Sequence, residues 1–280
     1  DFALNIDNIQ RLPQLGSSSV AWGDIDNDGD IDLALMGNAT GARVAGIFRN
    51  DAGSLFEDNA HTLTAMDNGK LAFGDIDNDG DLDLAAIGQV NDQNEASLTI
   101  YANNAGTLSP DTRSTLSGLL AGSLSFGDYD NDGDLDLGTT GFNFTEGLVT
   151  RIYANNGSGL FTDAGITGLT GAAASDLAWG DVDNDGDLDL ALVGQTAKGQ
   201  ILQIVRNQGG TFETAAIDLL IGLDFATVTW ADYDNDGDLD LASSGRTSVD
   251  ANTFPPVTRV NDNLESRFNP NRNPLQPSDL

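Results

Sequence analysis

Whatever chemistry this chain can do is concentrated in five acidic clusters. Asp24, Asp26, Asp28, Asp30 and Asp32 alternate along one short segment. The same arrangement returns as Asp75, Asp77, Asp79, Asp81 and Asp83; as Asp128, Asp130, Asp132, Asp134 and Asp136; as Asp181, Asp183, Asp185, Asp187 and Asp189; and as Asp232, Asp234, Asp236, Asp238 and Asp240. Carboxylates so close together repel one another unless a cation sits among them, and hard oxygens at flexible spacing are what calcium prefers. In each Asp-x-Asp-x-Asp-Gly-x-x-Asp segment, positions 1, 3, 5 and 9 read as side-chain ligands. Position 7 (Asp30, Asp81, Asp134, Asp187, Asp238) is assigned through its backbone carbonyl. The glycine at position 6 permits the bend, and about five calcium ions, one per repeat, are expected.

An EF-hand shares the first half of this pattern but closes with Glu at position 12 between two helices. Here position 12 is Leu35, Ala86, Thr139, Leu192 or Ser243 and the flanks are strand-like, so that reading fails. Magnesium wants tighter octahedral geometry, and zinc or copper would want His or Cys.

Catalysis is poorly served. His61 is the only histidine, cysteine is absent, and no Ser, Lys or Glu lies in a nucleophile or P-loop pattern. Acid–base and covalent routes near neutral pH therefore lack their usual carriers, and the aspartates that a glycosidase would pair are committed to metal. His61 is expected at the surface, in the turn after a fourth strand. No enzyme activity is expected; a polysaccharide-active enzyme is the least favoured alternative.

The net charge is −32, and 25 of the 44 acidic residues lie inside the five clusters, which argues for metal sites rather than a disordered acidic chain. Even with five divalent ions bound the chain stays acidic enough to repel phosphates, so nucleic acid is excluded as a partner. No apolar run is long enough to span a membrane.

The elements that must position these clusters repeat with them. Successive loops are 51, 53, 53 and 51 residues apart, the spacing of propeller-type arrays. Each repeat reads as four short strands separated by Asn, Asp and Gly turns; in the first these are residues 19–23, 33–37, 44–49 and 55–58. The aromatic two residues before each loop (Trp22, Phe73, Phe126, Trp179, Trp230) and a position on the third run (Phe48, Tyr101, Tyr153, Val205, Val260) are expected to fill the space between sheets. Gly37, Gly88, Gly141, Gly194 and Gly245 close the second run, which fits a positive φ or a close backbone approach. The variable stretches at 38–43, 89–96, 142–147, 195–200 and 246–256 read as surface loops, where binding commonly lives.

The loops, together with Trp22-Gly23-Asp24, Phe73-Gly74-Asp75 and Trp179-Gly180-Asp181, resemble the FG-GAP/VCBS repeat family, typified by the integrin α-subunit propeller. The resemblance covers residues 1–268 and implies an all-β propeller of four-stranded blades, with calcium between the first two strands of each blade. Integrin-like propellers have seven blades and five repeats are counted here, so a closed five-bladed ring, an incomplete propeller and an open array all remain. Ala231 departs from the glycine of the other copies.

Residues 1–6 look like a fourth run that completes the last blade, yet residues 264–268 compete for that place; residues 269–280 form a Pro-rich tail. The chain is expected to be a secreted, extracellular or cell-surface module that binds a protein or glycan. The alternative is a subunit that assembles with copies of itself into a filament or surface layer by exchanging terminal strands. Asn38-Ala39-Thr40, Asn143-Phe144-Thr145 and Asn156-Gly157-Ser158 match the N-glycosylation pattern.

Overall fold

The computed structural model describes residues 12–214, 220–248, 255–263 and 268–269. Twenty strands form five antiparallel sheets of four, each in simple sequence order. The first blade is β1 (Gly16–Gly23), β2 (Asp32–Ala39), β3 (Ala42–Asp51) and β4 (Ser54–Asp58); the second is β5 (Asp67–Gly74), β6 (Asp83–Gln89), β7 (Ala96–Asn104) and β8 (Thr107–Asp111). The third is β9 (Leu120–Gly127), β10 (Asp136–Asn143), β11 (Gly147–Asn155) and β12 (Phe161–Asp163); the fourth is β13 (Ala173–Gly180), β14 (Asp189–Thr196), β15 (Gly199–Gln208) and β16 (Thr211–Thr214). The fifth is β17 (Asp224–Ala231), β18 (Asp240–Arg246), β19 (Pro256–Asn263) and β20 (Phe268–Asn269).

The five innermost strands surround one central channel, lined by Ser18, Gly69, Gly122, Ser175 and Ala226 among others, so the sheets are the blades of a five-bladed propeller. Among the described residues there is no helix.

The channel is knotted by one carboxylate. Ser19, Lys70, Ser123, Asp176 and Thr227 occupy equivalent places on the five inner strands. Asp176, 6% exposed, accepts hydrogen bonds from Ser123 Oγ at 2.7 Å, from Thr227 Oγ1 at 2.8 Å and from the Val228 N–H at 3.2 Å, and pairs with Lys70 Nζ at 2.5 Å. One side chain thus ties the second, third and fifth blades to the fourth. Each inner strand also bulges next to this ring, with Ser17, Asn68, Ala121, Ala174 and Phe225 at φ of 45–51°.

The bulges explain the glycines of the second strands. These do not close the strand, which runs on past each of them, and Gly88 and Gly245 are not in the left-handed region. What they share is crowding: a Cβ on Gly194 would lie 2.5 Å from the Ser175 Cβ of the bulged neighbour.

The core lies between blades. Phe73 and Phe126 pack beneath the preceding blade, and a Cβ on Gly23 or Gly74 would lie 3.0 Å from those rings. For Gly127 against Trp179 and Gly180 against Trp230 the distance is 2.7 Å, so only glycine lets these rings seat. Beside Phe73, Phe126 and Trp179 lie Leu108, Phe161 and Phe212 of the fourth strands.

The seam between the fifth and first blades is different, and it corrects the expectation that all five loop-side aromatics are packed. Val20, Trp22, Ile31 and Phe56 stand where other blades bury their contact residues, yet they are 59%, 59%, 49% and 56% exposed. Facing this seam, Tyr233 is 49% exposed where Ile25, Ile76 and Val182 are buried. Ala231 carries at this position the Cβ that the four packed seams leave out.

One further expectation changes. The third-strand residue opposite Leu241 is Asn261, not Val260, so the last repeat is shifted by one there. The candidate strand at residues 1–6 and the tail at 270–280 lie outside the described residues; of residues 264–268, Phe268 pairs with Asn263 as part of β20.

The unpacked seam predicts unequal costs for chemically identical substitutions. Trp179→Ala should lower stability by about 3 kcal/mol as a packed, half-buried ring is lost, whereas Trp22→Ala should stay within about 1 kcal/mol. Urea denaturation of the two variants checks this, and equal losses would show that Trp22 is packed after all.

Candidate metal centre

Each Asp loop joins the first and second strands of its blade, and its own residues shape it. Asn27, Asn78, Asn131, Asn184 and Asn235 at position 4 take left-handed φ of 56–60°, which Asn tolerates, and the position-6 glycines follow at 92–98°. The position-1 carboxylate then braces the turn: Asp24 accepts from the Asp28 N–H at 3.2 Å and the Gly29 N–H at 3.0 Å, and the other four loops repeat this.

Position 9 is the buried anchor. Asp32, Asp83, Asp136, Asp189 and Asp240 are at most 2% exposed. Asp32 accepts from the Ile25 N–H at 2.9 Å and from the Asn50 N–H of β3 at 2.7 Å, fastening loop and third strand together. The same pair of bonds recurs in every blade.

Loops are also bonded across blades. Asn27 Nδ2 donates to Asp81 Oδ1 at 2.7 Å, and Asn78, Asn131 and Asn184 do the same to Asp134, Asp187 and Asp238. The third-strand Asn103, Asn155, Asn207 and Asn263 donate to the carbonyls of Ile76's counterparts in the blade before: Ile25, Ile76, Tyr129 and Val182.

Positions 1, 3 and 9 converge. In each triad (Asp24, Asp26, Asp32; Asp75, Asp77, Asp83; Asp128, Asp130, Asp136; Asp181, Asp183, Asp189; Asp232, Asp234, Asp240) one oxygen per residue lies within 4.8 Å of the others. Position 5 has one oxygen on the position-7 N–H, as Asp28 Oδ1 does on Asp30 at 2.9 Å. Position 7 spends its side chain on its neighbours: besides the bond from Asn27, Asp81 accepts from the Ala105 N–H at 2.8 Å. Any part it plays at the centre therefore falls to its carbonyl.

The donor set fits a divalent cation. Asp77 Oδ1 and Asp183 Oδ1 are buried carboxylate oxygens without a hydrogen-bond partner, and a metal ion satisfies such groups. Burial pushes Asp83 and Asp189 up to about 6 and Asp136 to about 7, against the pull of the backbone N–H groups they accept from. Burial likewise raises Asp77, Asp130 and Asp183, with the neighbouring loop carboxylates adding to it.

Two neighbours of the centre were not legible in the loop motif. Arg49 on β3 places Nη1 2.6 Å from Asp26 Oδ2 and 3.6 Å from Asp32 Oδ2, and Arg206 on β15 places Nη1 3.2 Å from Asp183 Oδ2. The only sequence sign is that each follows the third-strand residue that pairs with the leucine after the loop. His61, expected at the surface, has a side chain only 1% exposed. Its Nδ1 accepts the Leu108 N–H at 3.2 Å, so Nε2 carries the proton toward Asp58 Oδ2, also 3.2 Å away. It is a link between the first two blades. Of the three glycosylation-like triplets, Asn38 is held by Asp67 and the Gly41 N–H, Asn143 accepts from Thr145 and Glu146, and Asn156 is exposed.

Fold and site together define a five-bladed β-propeller with one acidic, metal-type loop per blade. Residues 75–139 and 146–192 match the family model of the FG-GAP-like repeat, and the first and fifth blades repeat the same loop, register and anchor bonds. The stretch from the second blade into the fourth is thus similar to FG-GAP-like repeats. No curated protein matches the chain.

The raised carboxylates set a pH dependence for the metal-free protein. Asp83, Asp136 and Asp189 hold their protons more tightly folded than unfolded, where the value is near 3.8. Their stabilising contribution is complete below about pH 4 and is lost as pH rises through about 6–7. With chelator present, the melting temperature should fall between about pH 4 and pH 7, and metal added at pH 7 should reverse the fall. A melting temperature that climbs across that window in chelator would contradict the assignment.

Proposed function

We propose that the protein is a calcium-clamped, non-catalytic recognition module that works outside the cell and takes its protein or glycan ligand on the face opposite the Asp loops. The observation that carries this reading is a hollow of about 560 Å³ at the far end of the third and fourth blades, lined by Phe142, Leu148, Thr170, Gly171, Thr196 and Lys198. Phe144, 64% exposed, stacks edge-on against Phe142 at 5.1 Å between ring centroids. An aromatic pair beside one lysine suits the apolar face of a sugar or an apolar peptide side chain with an anionic neighbour. The FG-GAP repeats, the position of the loops at strand junctions and the engagement of His61 in a structural link support a clamp rather than an active site.

Excess calcium should raise the melting temperature over that in EDTA, since saturating one site a hundredfold above its Kd adds about 2.7 kcal/mol. An unchanged melting temperature would sink the clamp. For recognition, binding to a glycan and peptide array should disappear in Phe144→Ser at unchanged melting temperature; a variant that binds as wild type would overturn the choice of face.

A second reading, association with copies of itself, is favoured by the seam. Val20, Trp22, Ile31, Asn50 and Phe56 present on the first blade the surface that other blades bury, and the four internal seams show what that surface accepts: the back of a preceding blade. In this reading the fifth blade of a second copy docks there, rather than a terminal strand. Sedimentation should show assemblies larger than 29.3 kDa that Trp22→Asp dissolves, whereas a wild-type monomer at high concentration would rule it out.

A further inference from the structure

The five loops carry the same ligands, yet the third strand presents a different residue to each. In register, Leu33 pairs with Phe48, Leu84 with Tyr101, Leu137 with Tyr153, Leu190 with Val205 and Leu241 with Asn261. The next residue along each third strand is Arg49, Ala102, Ala154, Arg206 and Asp262.

Arg49 is fixed independently of the loop it touches. Its Nε is held by Asp58 Oδ2 at 3.1 Å and its Nη2 by the Gly106 carbonyl at 2.5 Å, which leaves Nη1 aimed between Asp26 and Asp32. A guanidinium there does for these carboxylates what a metal ion would do, and a divalent ion arriving beside it meets a like charge within a few ångströms. Arg206 takes the same place in the fourth loop through Asp183. In the second loop the nearby Arg113 is drawn to Asp111 and the Ser158 carbonyl instead. Asp262, fully buried, lies close enough to Asp234 of the fifth loop to add to the burial and the loop carboxylates that push that carboxyl up.

We propose that this third-strand residue grades the five metal centres. Arg49 and Arg206 act as built-in cations that weaken divalent-ion binding in the first and fourth loops, Ala102 and Ala154 leave the second and third open, and Asp262 adds a carboxylate to the fifth. The proposal rests on the calcium reading above and assigns that reading an order of occupation. More ligand charge tightens a calcium site and added positive charge loosens it.

Calcium titration of the full chain, followed by calorimetry and by native mass spectrometry of the number of ions bound, tests the grading. The wild type should fill three sites first and two at calcium concentrations at least about tenfold higher. Arg49→Ala and Arg206→Ala should each move one ion from the weak class into the tight class, while Asp262→Asn, nearly isosteric, should weaken one tight site by about tenfold. If either arginine variant fails to fold, the other and Asp262→Asn still decide. Five sites of one affinity, or variants that leave the classes unchanged, would overturn the grading while leaving the clamp intact. No calcium bound at all would overturn both.

Discussion

The buried carboxylate at the ninth position of each loop is the constraint from which the rest of the molecule follows. Asp32 and its four counterparts each accept one N–H from their own loop and one from the third strand. Burying a charged group is costly unless it is bonded, so loop and strand cannot shift relative to one another without exposing that cost. The third-strand asparagine held there in turn reaches the loop carbonyl of the preceding blade, as Asn103 does to Ile25 at 2.8 Å. One acid therefore sets the geometry within a blade and, through its partner, the spacing between blades. The aromatic that seats on a glycine adds apolar burial to an alignment already imposed by polar bonds.

A metal ion enters this scheme late. The first and ninth positions have hydrogen-bonding work of their own, whereas the third position retains buried oxygens with nothing to bond, as at Asp77 and Asp183. Loop shape and metal affinity are thus separable properties. Local turn chemistry makes the shape, and the surroundings of the third-position carboxylate tune the affinity.

That separation also marks how far the sequence could be read. The four strands per repeat, the loop and its acidic triad were legible because each depends on residues within about ten positions of one another, where turn signals and alternation are local. What escaped depends on partners in another blade or another strand, or on strand register. Trp22 reads like Trp179, yet the residue that would receive it is Ala231 rather than glycine. His61 sits in a polar turn, yet a backbone N–H of the next blade draws it inside. Arg49 lies in a different strand from the loop it neutralises, and only the pairing of Leu33 with Phe48 reveals the contact. The shift from Val260 to Asn261 follows the long 246–256 connection, where the alignment of repeats has no aromatic to hold it.

The unpacked face of the first blade has a consequence for how such a molecule can change over time. Each blade brings its own means of gripping the one before it, and at the fifth-to-first seam that grip is displayed without being used. Gain or loss of one 51- or 53-residue unit by duplication or deletion would then need no remodelling of the units that remain, because among the described residues no blade is specialised to lock the circle. Blade number becomes a quantity that drifts, bounded by the charged knot at Asp176, whose reach across the axis from Lys70 to Thr227 limits how wide the circle can grow.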